Sequence, residues 1–425
     1  MRLTRRLLDV RPLRTSSQFR GLWLGRTLSM VGGQIALVAV LYQVWTLTHS
    51  ATAVGAIGLA KAVPMVVLGL VGGSLADAVD RRKLVLGTLV GHTVTSALLA
   101  AQAIAGVESL WLVLALIAAQ TSCGALGAPA FRTFVSRLLP PELVPAGVAL
   151  FHTSFQLSML VGPAIAGVLA AQWGPGVCYA VNAITIVVAL YAVARIPPMR
   201  PLGEGTSVGL RGIAEGWRFI ARQPVLLGVL LTDAIATLLA MPVSVFPVIN
   251  AEKFGDRPET LGLFLSAMAV GGILTSGLSG AVTRSSRPGA VMLASAAIWG
   301  VALAGVGVVG SVWLALGCLV IAGAADTASV ISRGSILQLA TPDSYRGRVS
   351  AAEHVIGVTG PDLGNYRGGL VADLTSGWFS LVSGGVLCFA GVMAVAATNR
   401  SLRRFSSQPD RDSRPATQPT GQPTD

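Results

Sequence analysis

Twelve apolar runs, most of them close to 20 residues long and separated by short polar turns, leave this chain few ways to fold. They cover residues 22–45, 53–76, 84–105, 110–128, 146–170, 177–194, 225–248, 261–282, 290–309, 312–330, 350–372 and 378–397. A helix needs roughly 20 apolar residues to cross the hydrocarbon of a bilayer. Without water to satisfy peptide groups, helices and closed barrels alone can span it, and barrel strands are about half this length. The composition agrees, with 53% hydrophobic residues and only 12% charged, about half the charged fraction of a soluble domain. Fifty glycines suit helices that approach closely inside lipid. The fold class expected is therefore an all-α membrane protein with twelve transmembrane helices. Several runs are shorter than their helices must be, so the helices should continue into the polar flanks.

Charge placement orients the layout. With both termini cytoplasmic, 26 of the 31 Lys and Arg residues fall on inside segments, two (Lys253 and Arg257) fall on outside loops, and Arg26, Lys61 and Arg367 lie within spans. Such a bias is the positive-inside pattern of a multi-pass protein of the cell (inner) membrane. The net charge of +12 does not point to nucleic acid, because the basic residues sit at the ends of apolar runs. The lipid bilayer is the partner that placement implies. Residues 1–20 are basic, with neither a short apolar core nor a small-residue cleavage site, and read as a cytoplasmic segment rather than a signal peptide. Cys123, Cys178, Cys318 and Cys388 lie inside apolar runs without metal-type spacing, and read as small hydrophobes.

The long polar segment near the middle divides the chain into six runs and six. The organisation expected is a bundle over 21–195, a linker over 196–224, a second bundle over 225–398 and a disordered cytoplasmic tail over 399–425. Within the linker Leu210, Ile213, Trp217 and Ile220 recur at helical spacing, opposite Arg211, Glu215, Arg218 and Arg222. That pattern predicts an amphipathic helix on the inner membrane surface. A shift of 202 residues aligns Pro140, Ala149, Gly162, Gly167 and Ala170 with Pro342, Ala351, Gly364, Gly369 and Ala372. The halves therefore read as pseudo-repeats, as in many transporters.

Between the second and third runs stands Gly72-Gly73-Ser74-Leu75-Ala76-Asp77-Ala78-Val79-Asp80-Arg81-Arg82-Lys83. This turn resembles the loop between helices 2 and 3 of the major facilitator superfamily of transporters, with Ala78 where that family often has Arg. The resemblance implies the major facilitator fold, two six-helix halves around a central site. It also implies a conformational gate at Gly73, Asp77, Asp80, Arg81, Arg82 and Lys83. Ser158-Met-Leu-Val-Gly162-Pro163-Ala-Ile-Ala-Gly167 resembles the superfamily's helix 5 antiporter signature, with Ser158 and Ala166 replacing two of its glycines. The family's helix 4 arginine motif is missing, since residues 120–129 contain no Arg. Phe19-Arg20-Gly21, Met241-Pro242, Phe246-Pro247, Ala324-Ala325-Asp326, Arg346-Gly347-Arg348 and Gly360-Pro361-Asp362-Leu363-Gly364-Asn365 are similar to the branch containing the enterobactin exporter and macrolide efflux pumps.

Ionisable groups inside spans are costly and so are candidate functional sites. Asp233, Asp326, Asp362 and Lys61 are the proton-coupling candidates, weighed against purely structural pairing such as Asp326 with Arg333 or Asp362 with Arg367. The polar residues Gln34, Tyr42, Asn365 and Arg367, also within runs, are the substrate-cavity candidates. Glu353 is set aside, because Ser350-Ala-Ala-Glu353 reads as a capping box that would occupy its carboxylate with backbone. The four histidines form no zinc motif, no phosphate-binding Gly-Lys-Ser/Thr loop is present, and no cofactor is expected. The function expected is secondary transport by a monomer: proton-coupled efflux of a hydrophobic or siderophore-like small molecule. Nutrient uptake by symport is the alternative within transport. A membrane-embedded enzyme or sensor would need a catalytic cluster or a soluble signalling domain.

Overall fold

Short polar residues mark where several helices begin. Ser16, Ser50, Ser109 and Ser376 each accept a hydrogen bond from the amide three residues on, and Asp80 accepts from Arg82 and Lys83, satisfying amides that a first helical turn leaves open. The computed structural model describes residues 9–200 and 210–406. Within them a few helical residues, Gly73 and Asp77 included, are described by their backbone alone. The long helices are α1 Ser17–Thr48, α2 Ala51–Ala78, α3 Arg81–Ile104, α4 Leu110–Arg132, α5 Val144–Trp173, α6 Pro175–Ala194, α7 Pro224–Ala240, α8 Pro258–Gly277, α9 Pro288–Val308, α10 Val312–Ala340, α11 Arg346–Leu374 and α12 Gly377–Thr398. Ten are long and apolar enough to cross a membrane unaided; α7 and α11 are the exceptions.

Both exceptions depart from the boundaries read in the sequence. Residues 225–248 were expected to form one span, but α7 ends at Ala240 and a second helix, Phe246–Lys253, follows. Pro242 explains the break. It lacks an amide hydrogen and disfavours helical geometry in the residue before it, and Met241 is extended, with φ −78° and ψ 121°. The start of α11 is at Arg346, after a 3-10 turn over Asp343–Tyr345. Ser350 is therefore inside the helix, and the capping box expected at Ser350 and Glu353 does not form. α10 also runs past its apolar stretch to Ala340, bringing Arg333, counted above as a loop cation, inside a helix.

Packing follows a repeating scheme. In the first half α1 packs on α5 and α6, α3 on α4 and α6, and α2 on α4. In the second half α7 packs on α11 and α12, α9 on α10 and α12, and α8 on α10. Each contact recurs six helices later, which is the two-fold pseudo-symmetry of the fold. Two further contacts, α2 with α11 and α5 with α8, join the halves and exchange under the same symmetry. Glycines make the close approaches possible. A Cβ on Gly271 or Gly323 would run into the backbone of the facing helix in the α8–α10 pair, where side-chain-free surfaces allow dispersion contacts between backbones.

The middle segment holds a helix over Leu210–Arg222, turned by 105° from α7. Rather than lying only on a lipid surface, it docks on the start of α11. Ile220 is buried, Phe219 stacks on Tyr345 at 4.2 Å, and Glu215 pairs with Arg348 at 3.1 Å. Trp217 stays exposed. Past residue 399 the chain forms one further turn, Arg400–Arg403, with Leu402 fully buried against the second half. Most of the expected tail lies outside the described residues.

Candidate functional site

A cavity of about 440 Å³ opens between the two halves. α1 and α2 contribute Gln34 and Lys61, and α5 contributes Met159 and Pro163. The second half supplies Asp233 and Thr237 from α7, Trp299 from α9, Asp326 and Arg333 from α10, and Asp362 and Asn365 from α11. Apolar side chains make up most of the remaining wall, Leu37, Leu41, Leu265 and Met268 among them. A few polar groups in a mainly apolar wall suit an amphiphilic organic molecule.

The charged groups are unevenly paired. Arg333 Nη1 meets Asp233 Oδ1, and its Nε lies 3.3 Å from Glu353 Oε1. One guanidinium thus ties α7, α10 and α11 together. Asp233 and Arg333 are mostly buried, while Glu353 is about a third exposed. Glu353, set aside in the sequence, belongs to this cluster and also lines a second, polar pocket of about 390 Å³ with Arg346, Ser350 and Thr341. Asp326 lies two turns before Arg333, on the same face of α10, and its side chain is exposed to the cavity. The pairing of Asp326 with Arg333 considered above is replaced by those with Asp233 and Glu353. Opposite, a Cβ on Gly58 would meet the Asp362 backbone, so α2 touches α11 there. Lys61, one turn along α2, comes to the cavity beside Asp362.

Asn365 has two tasks. It lines the cavity, and it holds the broken backbone of α7: its Oδ1 accepts from Ser244 N at 3.2 Å and its carbonyl from Ser244 Oγ at 2.6 Å. Two cavity candidates are not among the lining residues. Tyr42 packs against the core, and Arg367 lies against Gly384 of α12.

The antiporter-like stretch of α5 packs in two directions. Ser158 is buried and bonds back to the Phe155 carbonyl at 2.7 Å. Gly162 meets Gln34 of α1, within its own half. Pro163 and Gly167 face the other half: a Cβ on Gly262 would strike the Pro163 carbonyl, and one on Gly167 would come within 2.8 Å of the Glu259 Cα. Nearby, Ser266 Oγ donates to the Leu160 carbonyl at 2.8 Å.

The basic turn folds onto its own half. Asp80 Oδ1 accepts from Arg82 N at 2.9 Å, Lys83 N at 3.3 Å and Met199 N at 3.2 Å. Arg81 N donates to the Met199 carbonyl at 3.0 Å, and the Arg82 guanidinium donates to the Ala194 carbonyl. Asp80 therefore caps α3 and pins the chain leaving α6. The gate readings at Gly73 and Asp77 fall outside the described residues.

The halves meet most closely at the end of the bundle where α2 begins. Gly369 of α11 abuts Ala51, and Gly55 of α2 abuts Asn365 and Tyr366. Asp373, which sequence reading passed over, bonds to Ser50, Ala51 and Thr52 there.

This arrangement has known counterparts. A model described as a transmembrane secretion effector matches residues 9–420. The chain belongs to this family of the major facilitator superfamily. It is 28% identical over 404 residues to the enterobactin exporter EntS of Shigella flexneri, covering 95% of this chain and 97% of that one. Against the enterobactin exporter EntS of Citrobacter koseri it is 28% identical over 408 residues, covering the same shares. A bacterial homologue of the lysosomal transporter Spinster, solved facing inward and unoccupied, superposes with a TM-score of 0.68 at 15% identity, over 94% of this chain and all of that one. A bacterial homologue of the iron transporter ferroportin, solved facing inward, gives 0.67 at 15% identity, over 90% and 99%. At such identities these two show the fold alone. This secretion effector is thus a secondary transporter of the enterobactin-exporter branch, multi-pass in the inner membrane, acting on a small molecule and not an enzyme.

Proposed function

We propose that this protein exports a hydrophobic or siderophore-like small molecule in exchange for protons, by alternating access between its two halves. The observation that carries the reading is the set of carboxylates in the cavity between the halves: among the described residues, Asp233, Asp326 and Asp362 share the lining with only two cations, Lys61 and Arg333. Each proton bound there removes a negative charge from the wall, so proton occupancy and substrate affinity are coupled. Asp326 is the best-placed proton site, since Arg333 is engaged by Asp233 and Glu353. The positive-inside bias orients both termini to the cytoplasm, so the α2–α11 contact at Asp373 is outside and the cavity faces inward.

The test is accumulation of enterobactin, and separately of a hydrophobic fluorescent dye, in cells with and without this protein. Lower accumulation in expressing cells, abolished by a protonophore, is the expected result. Equal accumulation of both probes, or lower accumulation that a protonophore leaves intact, would overturn the reading. Asp233→Asn and Asp326→Asn should each abolish protonophore-sensitive efflux while the protein still inserts.

A further inference from the structure

We propose that Asp373 is the outer latch of the transport cycle. The proposal rests on the alternating-access reading above. The Asp373 carboxylate receives three hydrogen bonds from the other half: Oδ2 from Ser50 Oγ at 2.6 Å and Thr52 N at 2.9 Å, and Oδ1 from Ala51 N at 2.6 Å. Ala51 and Thr52 open α2, so their amides have no partner within the helix and form the positive end of its dipole. Bonds from such donors to a carboxylate are charge-assisted. They join the two halves, so they must break when this end opens.

Among the described residues, other helix starts at this end lack that cross-half bond. The first amides of α12 are met by Glu252, with Gly377 N at 2.7 Å and Trp378 N at 3.3 Å, but Glu252 belongs to the same half and its bonds survive a rocking motion. In the related α5–α8 contact, the 202-residue shift places Ala171 at the position of Asp373, and a methyl group accepts no hydrogen bond. The latch is built on one side of the pseudo-symmetry only.

Asp373 is also at the wrong end of its own helix. An acid near a helix C-terminus faces the negative end of the dipole, so its placement serves something outside α11. It is the penultimate residue of α11, Arg346–Leu374, and its carboxylate stands at the start of α2. Two rigid halves rocking about the cavity between them cannot open this end while those bonds hold, so Asp373 is engaged in the state closed outside and released in the state open outside.

Nitroxide labels at Thr46 and Trp378, on the outer ends of the two halves, read the outer distance by pulsed electron resonance in lipid nanodiscs, with the four native cysteines replaced. Asp373→Asn should lengthen that distance and raise the ratio of outward-open to outward-closed molecules by roughly 2- to 30-fold, the range of one carboxylate at a helix start. Ser50→Ala should shift it less, in the same direction, and supplies the reading should Asp373→Asn fail to fold. Asp373→Glu should restore part of the closed population. A distance distribution unchanged in folded Asp373→Asn would overturn the latch. Protonophore-insensitive efflux would remove proton coupling and leave this distance test untouched.

Discussion

Arg333 shows how far one side chain can hold a bundle together. It sits between Asp233 and Glu353, with side chains of Arg333 and Asp233 only 13% and 10% exposed. A buried ion pair gains little over an apolar pair of equal volume, but removing one partner leaves an uncompensated charge that costs about 3–5 kcal/mol. Arg333→Gln, leaving two acids facing each other across α7 and α11, should therefore lower the thermal unfolding midpoint in detergent far more than Glu353→Gln, whose carboxylate is partly solvated. The two changes Arg333→Gln and Asp233→Asn share one interaction, so their costs should fall short of adding, by about 0.5–3 kcal/mol. Additive costs would show that the pair contributes nothing. Hydropathy stops the tenth apolar run at Val330 because Arg333 is charged, which is why the residue reads as a loop cation in sequence. The seven-residue spacing from Asp326, about two helical turns, was the signal that it belongs to the same cavity-facing side of α10.

At the scale of the helix, apolarity and punctuation were legible and pairing was not. The twelve runs correspond to twelve long helices because lipid-length apolar stretches have no other way to satisfy their backbone. Their ends were less legible: α1 starts at Ser17 and α10 runs to Ala340, well beyond their apolar runs, since a helix ends where capping and loop chemistry stop it. The Met241-Pro242 break was written in the sequence as a Pro within a run, yet its counterpart, Asn365, lies 121 residues beyond Ser244, and no local pattern connects the two. Among glutamines in α1, Gln34 lines the cavity, while Gln43 is buried in a network with Gln102 and Tyr179; nothing local separates these roles. Asn365→Ala removes the acceptor of the buried Ser244 amide, and a buried donor left unmade costs about 1–3 kcal/mol. Asn365→Asp keeps an acceptor there. The alanine variant should unfold at lower temperature than the aspartate variant in the same detergent. Equal midpoints would mean that the break in α7 is held by Pro242 and packing without Asn365.

For the whole molecule, membrane topology is the property on which every mechanistic statement depends, and charge alone sets its expected sign. The two-fold pseudo-axis relates helices that run in the same direction and so lies along the membrane normal, leaving open which end faces the cytoplasm. What distinguishes the ends is the basic turns. Arg81, Arg82 and Lys83 open α3, and Arg284 and Arg287 lie between α8 and α9. The opposite end carries Lys253 and Arg257 before α8. Retention of basic segments on the cytoplasmic side places the first end inside. One helix is enough to test this, because α8 separates Arg257 from Arg287 and both side chains are exposed. In a background without native cysteines, Arg257→Cys should react with a membrane-impermeant maleimide in intact cells. Arg287→Cys should react only after the membrane is permeabilised. The reverse labelling would invert the molecule, place the Asp373 contact on the cytoplasmic side, and turn the proposed exit path into an entry path. Neutralising both Arg284 and Arg287 should weaken the asymmetry little, since most of the 31 Lys and Arg residues remain on the same side; a bias set by many charges does not hinge on two.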